Sequence, residues 1–457
     1  MRGIGVTMSG GGHRASLFGL GVLLYLADAG KMQDVTSIAS VSGGSLTNGY
    51  VAQTLDISTS SDGSAFESAM RPFARQLARR GSLFASPVTW TYLAVLVATG
   101  LAALAVPWLM PVAGILQLVI FLAALLVWTG FVASRRSWIA ARAFRTVFFS
   151  PNGKPTLLRD IHGPVDHVIC ATEMQSAEQL YFAKTFVYGY RFGLGSPGDL
   201  MLHDAVQASA CLPGAFPARW LRTSRHGFRY AADEVHPDDP CPGPEDRPAK
   251  LPAFMVLTDG GVYDNMADQW ALGFHGRRTC WPDLETTHNE PQDLVVVNSS
   301  AGLGWSELKR SIVPGIGELL TLLKVKDVLY DQTTATRRRV LADRSRRALA
   351  GSEEMRVGLI NIPQSPFDVA AAFAAGHGPA AERGAVVTDA LGDTSDAWAA
   401  DAQANATVKT SLSKMGVEVS ARLLHHAYVL AMSNLHVLLD YPLLPMPDRQ
   451  RFVDLVS

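Results

Sequence analysis

Short apolar runs alternate with glycine turns and helical patterns along the first fifty residues of the chain. The run Ile4–Met8 has the length of a buried strand, and leucines spaced in threes predict a helix over residues 15–27. Residues 34–41 predict a second strand, and a second glycine turn leads into a helix expected over residues 45–53. Two strand–turn–helix units in succession indicate an α/β fold with a mainly parallel sheet.

An uncharged segment interrupts this pattern, since residues 81–134 contain no Asp, Glu, Lys, Arg or His. It divides into two apolar stretches, residues 88–106 and 112–132, joined by a hinge at residues 107–111. Each stretch is long enough to cross a hydrocarbon core, which takes about 20 helical residues. Arginines flank both outer sides, at Arg71, Arg75, Arg79 and Arg80 before the segment and at Arg135, Arg136, Arg142 and Arg145 after it. The positive-inside rule therefore predicts a transmembrane hairpin with both flanks in the cytoplasm. A helical pair buried in protein and a re-entrant loop are the alternatives.

The α/β pattern resumes after this segment. Strands are predicted at residues 165–172, 180–182, 254–258, 294–298 and 357–362, with a helix at residues 204–210. The Pro- and Asp-rich residues 234–250 indicate a loop, and the Ala- and Gly-rich residues 369–406 are expected to be partly mobile. Residues 417–439 predict a final helix. Six arginines within residues 337–347 crowd one helix, where a solvated face is the first interpretation and contact with anionic lipid the second.

The composition narrows the class of protein. The 457 residues exceed the usual length of one domain, and a charged share of 18% beside 48% hydrophobic residues fits side chains that face lipid. A net charge of −1 provides no attraction to nucleic acid. Four cysteines without C-x-x-C spacing suit a reducing compartment and argue against a disulfide framework and a zinc site. A signal peptide is the weaker interpretation of residues 17–27, because a helix opened by a glycine loop also explains the glycines before them.

Three strand ends carry residues that suit ester chemistry. Ser42 stands in the sequence SVSGG between a strand and a helix, the arrangement of a nucleophile elbow that pushes Oγ out of the sheet. Gly10, Gly11 and Gly12 lie at the preceding strand–helix turn, where consecutive glycines free backbone N–H groups to hold an anion. Asp259 ends an apolar strand and precedes two glycines, so its carboxylate can take the Ser42 proton directly. Each feature alone is common in ordinary turns, but the ordered trio is not.

These stretches resemble motifs of the patatin-like phospholipase family. The sequence SGGGHR at residues 9–14 looks like the family's oxyanion motif, and Ser42 and Asp259 match its nucleophile and its dyad aspartate. Further stretches are similar to family patterns at residues 171–173, 181–182, 208–217 and 259–265, and the resemblance covers residues 3–80 and 140–300. Two departures concern loop geometry, because Ser40 replaces the first glycine of the elbow and Ala15 the last glycine of the oxyanion motif.

The resemblance implies a three-layer α/β sandwich and a lipid acyl hydrolase of the phospholipase A or esterase type, without a metal or a cofactor. Its Ser-Asp dyad would be Ser42 and Asp259, and its oxyanion hole would be Gly10, Gly11 and Gly12. Arg14 would either hold a lipid phosphate or position the glycine loop. The expected substrate is a membrane phospholipid or another lipid ester, and the expected partner is a lipid bilayer.

The expected organisation combines one catalytic domain with an insertion. Residues 1–80 form the first part of that domain and residues 81–135 the inserted transmembrane hairpin. Residues 136–305 form the second part, and residues 306–457 a mostly helical region that completes the domain. The catalytic domain is expected in the cytoplasm, at the membrane.

Other functions stay open at this point. A Ser-His-Asp hydrolase is compatible with the chain order, because several histidines follow Asp259: His275, His288, His377, His425, His426 and His436. A catalytically idle lipid-binding or scaffolding membrane protein is an alternative of a different class. An acyltransferase that uses the same acyl-enzyme is a third.

Overall fold

The centre of the molecule is a mostly parallel β-sheet, as the strand pattern predicts. The computed structural model describes residues 3–59, 62–111, 114–230, 241, 243, 247–282, 284, 290–300 and 316–457. Its strands are β1 (Ile4–Met8), β2 (Val35–Ser40), β3 (Asp166–Glu173), β4 (Glu178–Phe182), β5 (Val187–Gly189), β6 (Gly193–Gly195), β7 (Arg219–Arg222), β8 (Phe254–Asp259), β9 (Asp293–Asn298) and β10 (Arg356–Asn361). The sheet order is β10-β9-β1-β2-β3-β4-β5-β6, with β8 paired to β3 and β7 to β8. All pairs from β10 to β3 are parallel, and the others are antiparallel.

Helices connect and cover these strands. They are α1 (Gly12–Asp28), α2 (Gly43–Thr54), α3 (Gly63–Arg79), α4 (Pro87–Leu109), α5 (Ile115–Val127), α6 (Arg136–Val147), α7 (Leu202–Ser209), α8 (Gly261–Asp264), α9 (Gln269–Leu272), α10 (Phe274–Cys280), α11 (Ile316–Leu349), α12 (Pro366–Ala374), α13 (Pro379–Leu391), α14 (Ser395–Ala406), α15 (Val417–Leu439) and α16 (Arg449–Val456). In β9, Val295 and Val297 face a core shared with α1 and α15, while Leu294 and Val296 face a second core under α11. Alternating strand residues thus bury both faces, and the chain has the three-layer α/β architecture.

Helix α1 lies inside the first core and is buried along almost its whole length. At Gly21 it approaches α15 so closely that a Cβ atom would lie 2.6 Å from the carbonyl oxygen of Leu424. Residues 17–27 therefore form a core helix between β1 and β2. This agrees with the preferred interpretation of a helix opened by a glycine loop, because the core is built around these side chains.

The C-terminal ends of β2 and β8 meet head to head along β3. Strand β2 runs parallel to β3, and its last residue, Ser40, lies opposite Ile169. Strand β8 runs antiparallel to β3, and its last residue, Asp259, lies opposite Ala171. Because β4 occupies the other edge of β3, both strands share one edge and stop with a single β3 residue between them. The turn after β2, which carries Ser42, is thereby brought next to Asp259.

Two expectations for the C-terminal part were wrong. Residues 369–406, which were expected to be partly mobile, are largely helical, in α12, α13 and α14. Helix α12 begins with a capping box at Ser365 and Asp368, a local signal that composition alone conceals. The helix predicted at residues 417–439 coincides with α15, but α16 follows it. The loop expected at residues 234–250 lies largely outside the described residues.

The cysteines also differ from expectation. Cys241 and Cys280 form a disulfide that spans 39 residues, whereas Cys170 and Cys211 are free and buried. The pairing was not predictable from spacing, because the chain path between the two cysteines brings them together. The four cysteines are therefore not all reduced in this structure.

Helices α4 and α5 form a helical hairpin, and nearly all of their described side chains are exposed or half-buried. Pro87–Val106 and Ile115–Val147 are long and apolar enough to cross a membrane by length and composition, and almost none of the most apolar stretch of each is buried. Tyr92 Oη donates to the Val132 carbonyl oxygen at 2.9 Å, and Trp128 Nε1 to that of Leu96 at 3.2 Å. Helix α4 continues to Leu109, so the hinge begins later than predicted. A helical pair buried within the chain does not fit this exposure.

Candidate active site

Ser42 occupies a tight turn between β2 and α2. Its backbone has φ 52° and ψ −116°, a conformation that costs a non-glycine residue of the order of 1–3 kcal/mol. The cost is offset by the surroundings, because Gly44 N–H donates to the Val41 carbonyl oxygen at 2.9 Å and closes the turn. The geometry is that of a nucleophile elbow, with the side chain at the N-terminus of α2.

Ser209, at the end of α7, connects the elbow to β3 and β8. The Ser42 N–H donates to Ser209 Oγ at 2.9 Å, and Ser209 Oγ donates to the Cys170 carbonyl oxygen at 2.6 Å. The Ser209 carbonyl oxygen in turn accepts from the Gly260 N–H at 3.1 Å. A Cβ at Gly260 would lie 3.2 Å from Val41 Cγ1, so the elbow and the turn after β8 are in direct contact.

Ser40, which stands where the family motif has glycine, belongs to a buried polar network below the elbow. Its Oγ donates to the Val168 carbonyl oxygen at 3.3 Å and accepts from Ser45 Oγ at 3.0 Å and from Asn48 Nδ2 at 2.9 Å. Asn48 also bonds His167, whose pKa is lowered to about 3 by burial, so the imidazole is neutral. The serine is thus accommodated by hydrogen bonds, and the departure does not disturb the turn.

The glycine loop at residues 10–12 packs directly on the elbow. A Cβ at Gly43 would lie 2.0 Å from the Gly12 carbonyl oxygen, and a Cβ at Gly10 would lie 3.3 Å from Ser42 Cβ. Gly11 has φ 140° and Gly12 has φ 61°, conformations that favour glycine. The Gly10 N–H is already donated to the Asn265 carbonyl oxygen at 3.1 Å. Gly11 and Gly12 begin α1, where the first N–H groups have no intrahelical acceptor.

Asp259 is buried at the end of β8. Its Oδ1 accepts from the Gly261 N–H at 2.9 Å. Tyr330 of α11 packs against the same turn, because a Cβ at Gly261 would lie 2.6 Å from Tyr330 Cε1. Burial raises the pKa of Tyr330 far above its usual range, and the charge of Asp259 beside it raises that pKa further. The phenol therefore keeps its proton and presents an O–H donor beside the carboxylate.

Arg14 is buried in α1 and bonds to backbone carbonyls. Its Nε donates to the Ser299 oxygen at 3.0 Å and its Nη1 to the Val408 oxygen. Burial lowers the pKa of Arg14 to about 10, so it stays protonated at neutral pH. These bonds connect the glycine loop to the segments after β9 and α14.

A cavity of about 480 Å³ joins these groups. Ser42, Asp259 and all three loop glycines line it, so the residues singled out in the sequence come together in one place. Apolar side chains form much of the remaining wall: Leu83, Phe84, Ala210, Leu212, Ala215 and Phe216. An acyl chain fits such a wall, while the ester fits the polar floor.

The described histidines lie elsewhere. None of them lines this cavity. His425 and His426 pack in α15 against Trp398, and His275 and His377 are exposed. His288 lies outside the described residues. Among the residues that the structure describes, no group of three or more His, Cys, Asp or Glu side chains could hold a metal ion.

Several residues at the site were not predicted from the sequence. Ser209 sits inside a stretch that resembles the family, residues 208–217, but its bond to the elbow has no local signal. Tyr330 comes from α11, and residues 410–413 also line the cavity from the C-terminal region. Leu83 and Phe84 precede the hairpin and looked like part of it. Only the packing of distant elements brings these residues to Ser42.

The chain is similar to a known protein family and to solved structures. A family model described as Patatin-like phospholipase matches residues 6–267, more than half of the chain. The structure of human GIVD cytosolic phospholipase A2 is similar at 14% identity and a TM-score of 0.38, over 99% of this chain and 63% of that one. VipD from Legionella pneumophila is similar at 13% identity and a TM-score of 0.30, over 100% of this chain and 79% of that one. The chain thus spans less than two thirds of the human protein's length. No curated protein matches it.

Proposed function

Because this chain belongs to the patatin-like phospholipase family, a family of lipid acyl hydrolases, we propose that it cleaves fatty acyl esters of membrane lipids with a Ser42–Asp259 dyad. The observation that carries the proposal is the single cavity lined by Ser42, Asp259 and the glycine loop. A nucleophile, a base and free N–H donors around one apolar-walled cavity are what ester cleavage needs. No described histidine lines this cavity beside Ser42.

In the first step of the proposed reaction, Ser42 Oγ attacks the ester carbonyl carbon while Asp259 takes the Oγ proton. The negative charge that develops on the carbonyl oxygen is held by the N–H groups of Gly11 and Gly12, whereas Gly10 shapes the loop. The C–O bond to the alcohol then breaks, and the alcohol leaves with the proton from Asp259. An acyl-Ser42 ester remains.

In the second step, a water molecule attacks this acyl ester. Asp259 takes a proton from the water, the same donors hold the oxyanion, and the fatty acid is released as Ser42 Oγ regains a proton. The neighbouring Tyr330 O–H donor is suited to stabilise the carboxylate form of Asp259 between these transfers. Arg14 acts on loop position in this proposal, because its guanidinium is already bonded to backbone carbonyls.

A membrane lipid is the proposed substrate because the cavity wall is continuous with the hairpin. Leu83 and Phe84 line the cavity, and the Phe84 ring contacts Trp90 in the first turn of α4 at 6.0 Å between ring centroids. The side chains of Phe84 and Trp90 are both exposed. An anchor at this position holds the cavity beside the bilayer from which an acyl chain would come.

The proposed organisation keeps one catalytic domain interrupted by the hairpin. Residues 1–80 and 136–305 build most of the sheet and the proposed dyad, and residues 306–457, which contribute β10, complete the domain. Its support is that α11 and residues 410–413 line the same cavity as Ser42. The hairpin is proposed to anchor this domain at the cytoplasmic face of the membrane.

Substitution of the dyad tests the proposal. Ser42→Ala and Asp259→Asn should each lower hydrolysis of a short soluble ester by at least ~10³-fold, because residues that act as one unit fail together. The matched controls Ser352→Ala and Asp393→Asn change an exposed serine and an exposed aspartate far along the chain. They should keep wild-type turnover, and all four variants should show the same circular dichroism and detergent elution profile.

Two outcomes contradict the dyad. Near-normal turnover in Asp259→Asn together with inactivity of a His425→Gln or His275→Gln variant would favour a Ser-His-Asp triad. Absence of Ser42-dependent hydrolysis, and of labelling by a serine-reactive probe, would favour a lipid-binding protein without catalysis.

A further inference from the structure

Two cationic side chains line the described part of the Ser42 cavity, Arg14 and Arg338. Arg14 is buried, and its guanidinium donates to the carbonyl oxygens of Ser299 and Val408. Arg338 is exposed at the cavity. Among the residues that the structure describes, no salt bridge engages it. The two arginines therefore differ in what they can still bind.

Arg338 belongs to one face of α11. The cavity-lining positions Asp327, Asp331, Thr334 and Arg338 follow one another at intervals of four, three and four residues, which places them on one helix face. Other arginines of this helix have different contacts. Arg337 pairs with Asp264 and Asp268, and Arg344 and Arg347 pair with Glu353. The arginines of α11 thus differ in their contacts, and Arg338 is the one that lines the cavity.

The distance along α11 suits a lipid headgroup. Tyr330 packs beside the Asp259 turn, and Arg338 follows it by eight residues, or about 12 Å of helix at 1.5 Å per residue. Helical side chains lean toward the N-terminus of their helix, which directs the guanidinium back along α11 toward Tyr330. The phosphate of a glycerophospholipid lies a few bonds beyond the ester, on the side away from the acyl chain. Asp327 and Asp331 line the same face, so a headgroup that carries an amine as well as a phosphate is also compatible with it.

We infer that Arg338 binds the phosphate of a glycerophospholipid whose acyl ester lies at Ser42. The inference rests on the proposed hydrolase function and assigns to Arg338 the contact with the headgroup of a phospholipid substrate. A guanidinium suits this role because its planar fork can bond two phosphate oxygens at once. Neutral diacylglycerol has the same esters and acyl chains but no partner for Arg338.

The experiment compares Arg338→Gln with Arg339→Gln in the full-length protein. Arg339 is the next residue on α11, is exposed, and does not line the cavity. Both variants are assayed in mixed detergent micelles with phosphatidylcholine, phosphatidylglycerol or diacylglycerol of the same acyl composition. The ratio of phospholipid to diacylglycerol kcat/KM should fall ~10- to 100-fold in Arg338→Gln, mainly through KM, as expected for loss of a charge-assisted hydrogen bond. It should not change in Arg339→Gln.

A conservative variant and a competitor separate binding from structure. Arg338→Lys should recover part of the ratio, because lysine binds phosphate as a point charge. Inorganic phosphate, tested against the short soluble ester, distinguishes a general phosphate site from a lipid headgroup site. Inhibition at low millimolar phosphate in wild type and not in Arg338→Gln, together with an unchanged ratio of phospholipid to diacylglycerol kcat/KM, would show that free phosphate, and not the lipid headgroup, is the ligand.

Other outcomes are equally definite. An unchanged ratio, or an equal loss on phospholipid and diacylglycerol, overturns the inference. Either result with Ser42-dependent ester hydrolysis intact leaves the proposed function standing, whereas absence of that hydrolysis in wild type overturns the proposed function first.

Discussion

Ser42 and Gly11 adopt positive φ angles, 52° and 140°, on either side of one close contact between two loops. In the proposed reaction, the elbow exposes the nucleophile and the glycine loop provides the backbone donors. A side chain at Gly11 would meet Arg14 Nη2 at 3.1 Å and Ala15 Cβ at 3.2 Å. At this scale, the chemistry depends on backbone conformation as much as on side-chain identity.

Gly11→Val tests this dependence. We expect turnover to fall by about 10²- to 10³-fold, the usual cost of losing one oxyanion donor. The matched variant is Gly30→Val, since Gly30 also has positive φ, 65°, but has no atom within 4 Å of an added Cβ. Both variants should lose about 1–2 kcal/mol of stability from backbone strain, measured by urea unfolding, while only Gly11→Val loses activity. Parallel losses of stability and activity in the two variants would make the glycine loop merely structural.

At the scale of elements, the antiparallel pair of β3 and β4 places two buried glutamates opposite each other. Glu173 and Glu178 are directly paired in register. Glu173 accepts hydrogen bonds from the N–H groups of Gln175, Ser176 and Val256. Glu178 accepts one from the Arg191 N–H at 2.8 Å. Burial, with a smaller contribution from the Glu173 charge and against the opposing hydrogen bonds, raises the pKa of Glu178 to about 7. Strand pairing thus buries a carboxyl group that ionises near neutral pH.

Glu178→Gln should stabilise the protein at pH 8 more than at pH 5. The folded state holds the Glu178 proton more tightly than the unfolded chain does, so its stabilising effect is complete below pH 4.5 and is lost as the pH rises through about 7. Removing the charge should therefore raise the unfolding free energy at pH 8 by about 2 kcal/mol over the change at pH 5. Urea midpoints in detergent at the two pH values provide the measurement, with exposed Glu354→Gln as the control. An equal effect at both pH values would show that Glu178 does not titrate in this range.

At the scale of the whole molecule, residues that directly precede the hairpin also line the cavity. Ser82 Oγ bonds His13 Nε2 at 2.7 Å, and Leu83 and Phe84 line the cavity. Ser86 Oγ lies 2.9 Å from Thr146 Oγ1, so both ends of the hairpin return to the same domain. The apolar hairpin therefore begins after these residues, and residues 81–86 pack with the part of the chain that contains Ser42.

Replacing residues 93–131 with a short Gly-Ser linker keeps this boundary and the Tyr92–Val132 contact. We expect a more soluble protein that still labels with a serine-reactive probe. Hydrolysis of vesicle lipid should fall at least ~10-fold more than hydrolysis of a short soluble ester, because anchoring raises the local concentration of bilayer substrate without touching Ser42. A matched variant with an unrelated transmembrane hairpin in the same place should recover vesicle activity. Extraction of the full-length protein by carbonate would contradict membrane insertion.

Two features point to opposite compartments. The arginines outside the hairpin predict a cytoplasmic domain, where thiols stay reduced, whereas the Cys241–Cys280 disulfide is typical of an oxidising compartment. Because both hairpin ends return to one domain, a single determination of sidedness decides between them.

We expect the cytoplasmic side, with Cys241 and Cys280 as neighbouring thiols in the cell. Cells quenched in acid, then denatured and alkylated without reductant, should yield protein with all four cysteines modified. Modification of only Cys170 and Cys211 would place the domain in an oxidising compartment and reverse the topology.

The sequence by itself determined the local units of this protein. Ile4–Met8 and the helix at residues 417–439 were predicted with the bounds that the structure shows, because hydrophobic period and length are local properties. The patatin-like fold and the candidate dyad were implied by the resemblance of short local motifs to that family. Glycines beside Ser42 and Asp259 mark the turns that such residues need. The uncharged segment likewise predicted a hairpin from its own composition and length, independently of the fold.

Only the tertiary structure decided how these units meet. Ser42 and Asp259 are 217 positions apart in the sequence, and they come together because β8 runs against β3 and stops where β2 ends. Tyr330 and Arg338 reach the cavity from α11, on a helix whose own pattern shows only a polar, arginine-rich surface. The Cys241–Cys280 disulfide and the Ser209 bond to the elbow have no local signal either. Such contacts depend on packing between elements, and no periodicity within one element encodes the position of another.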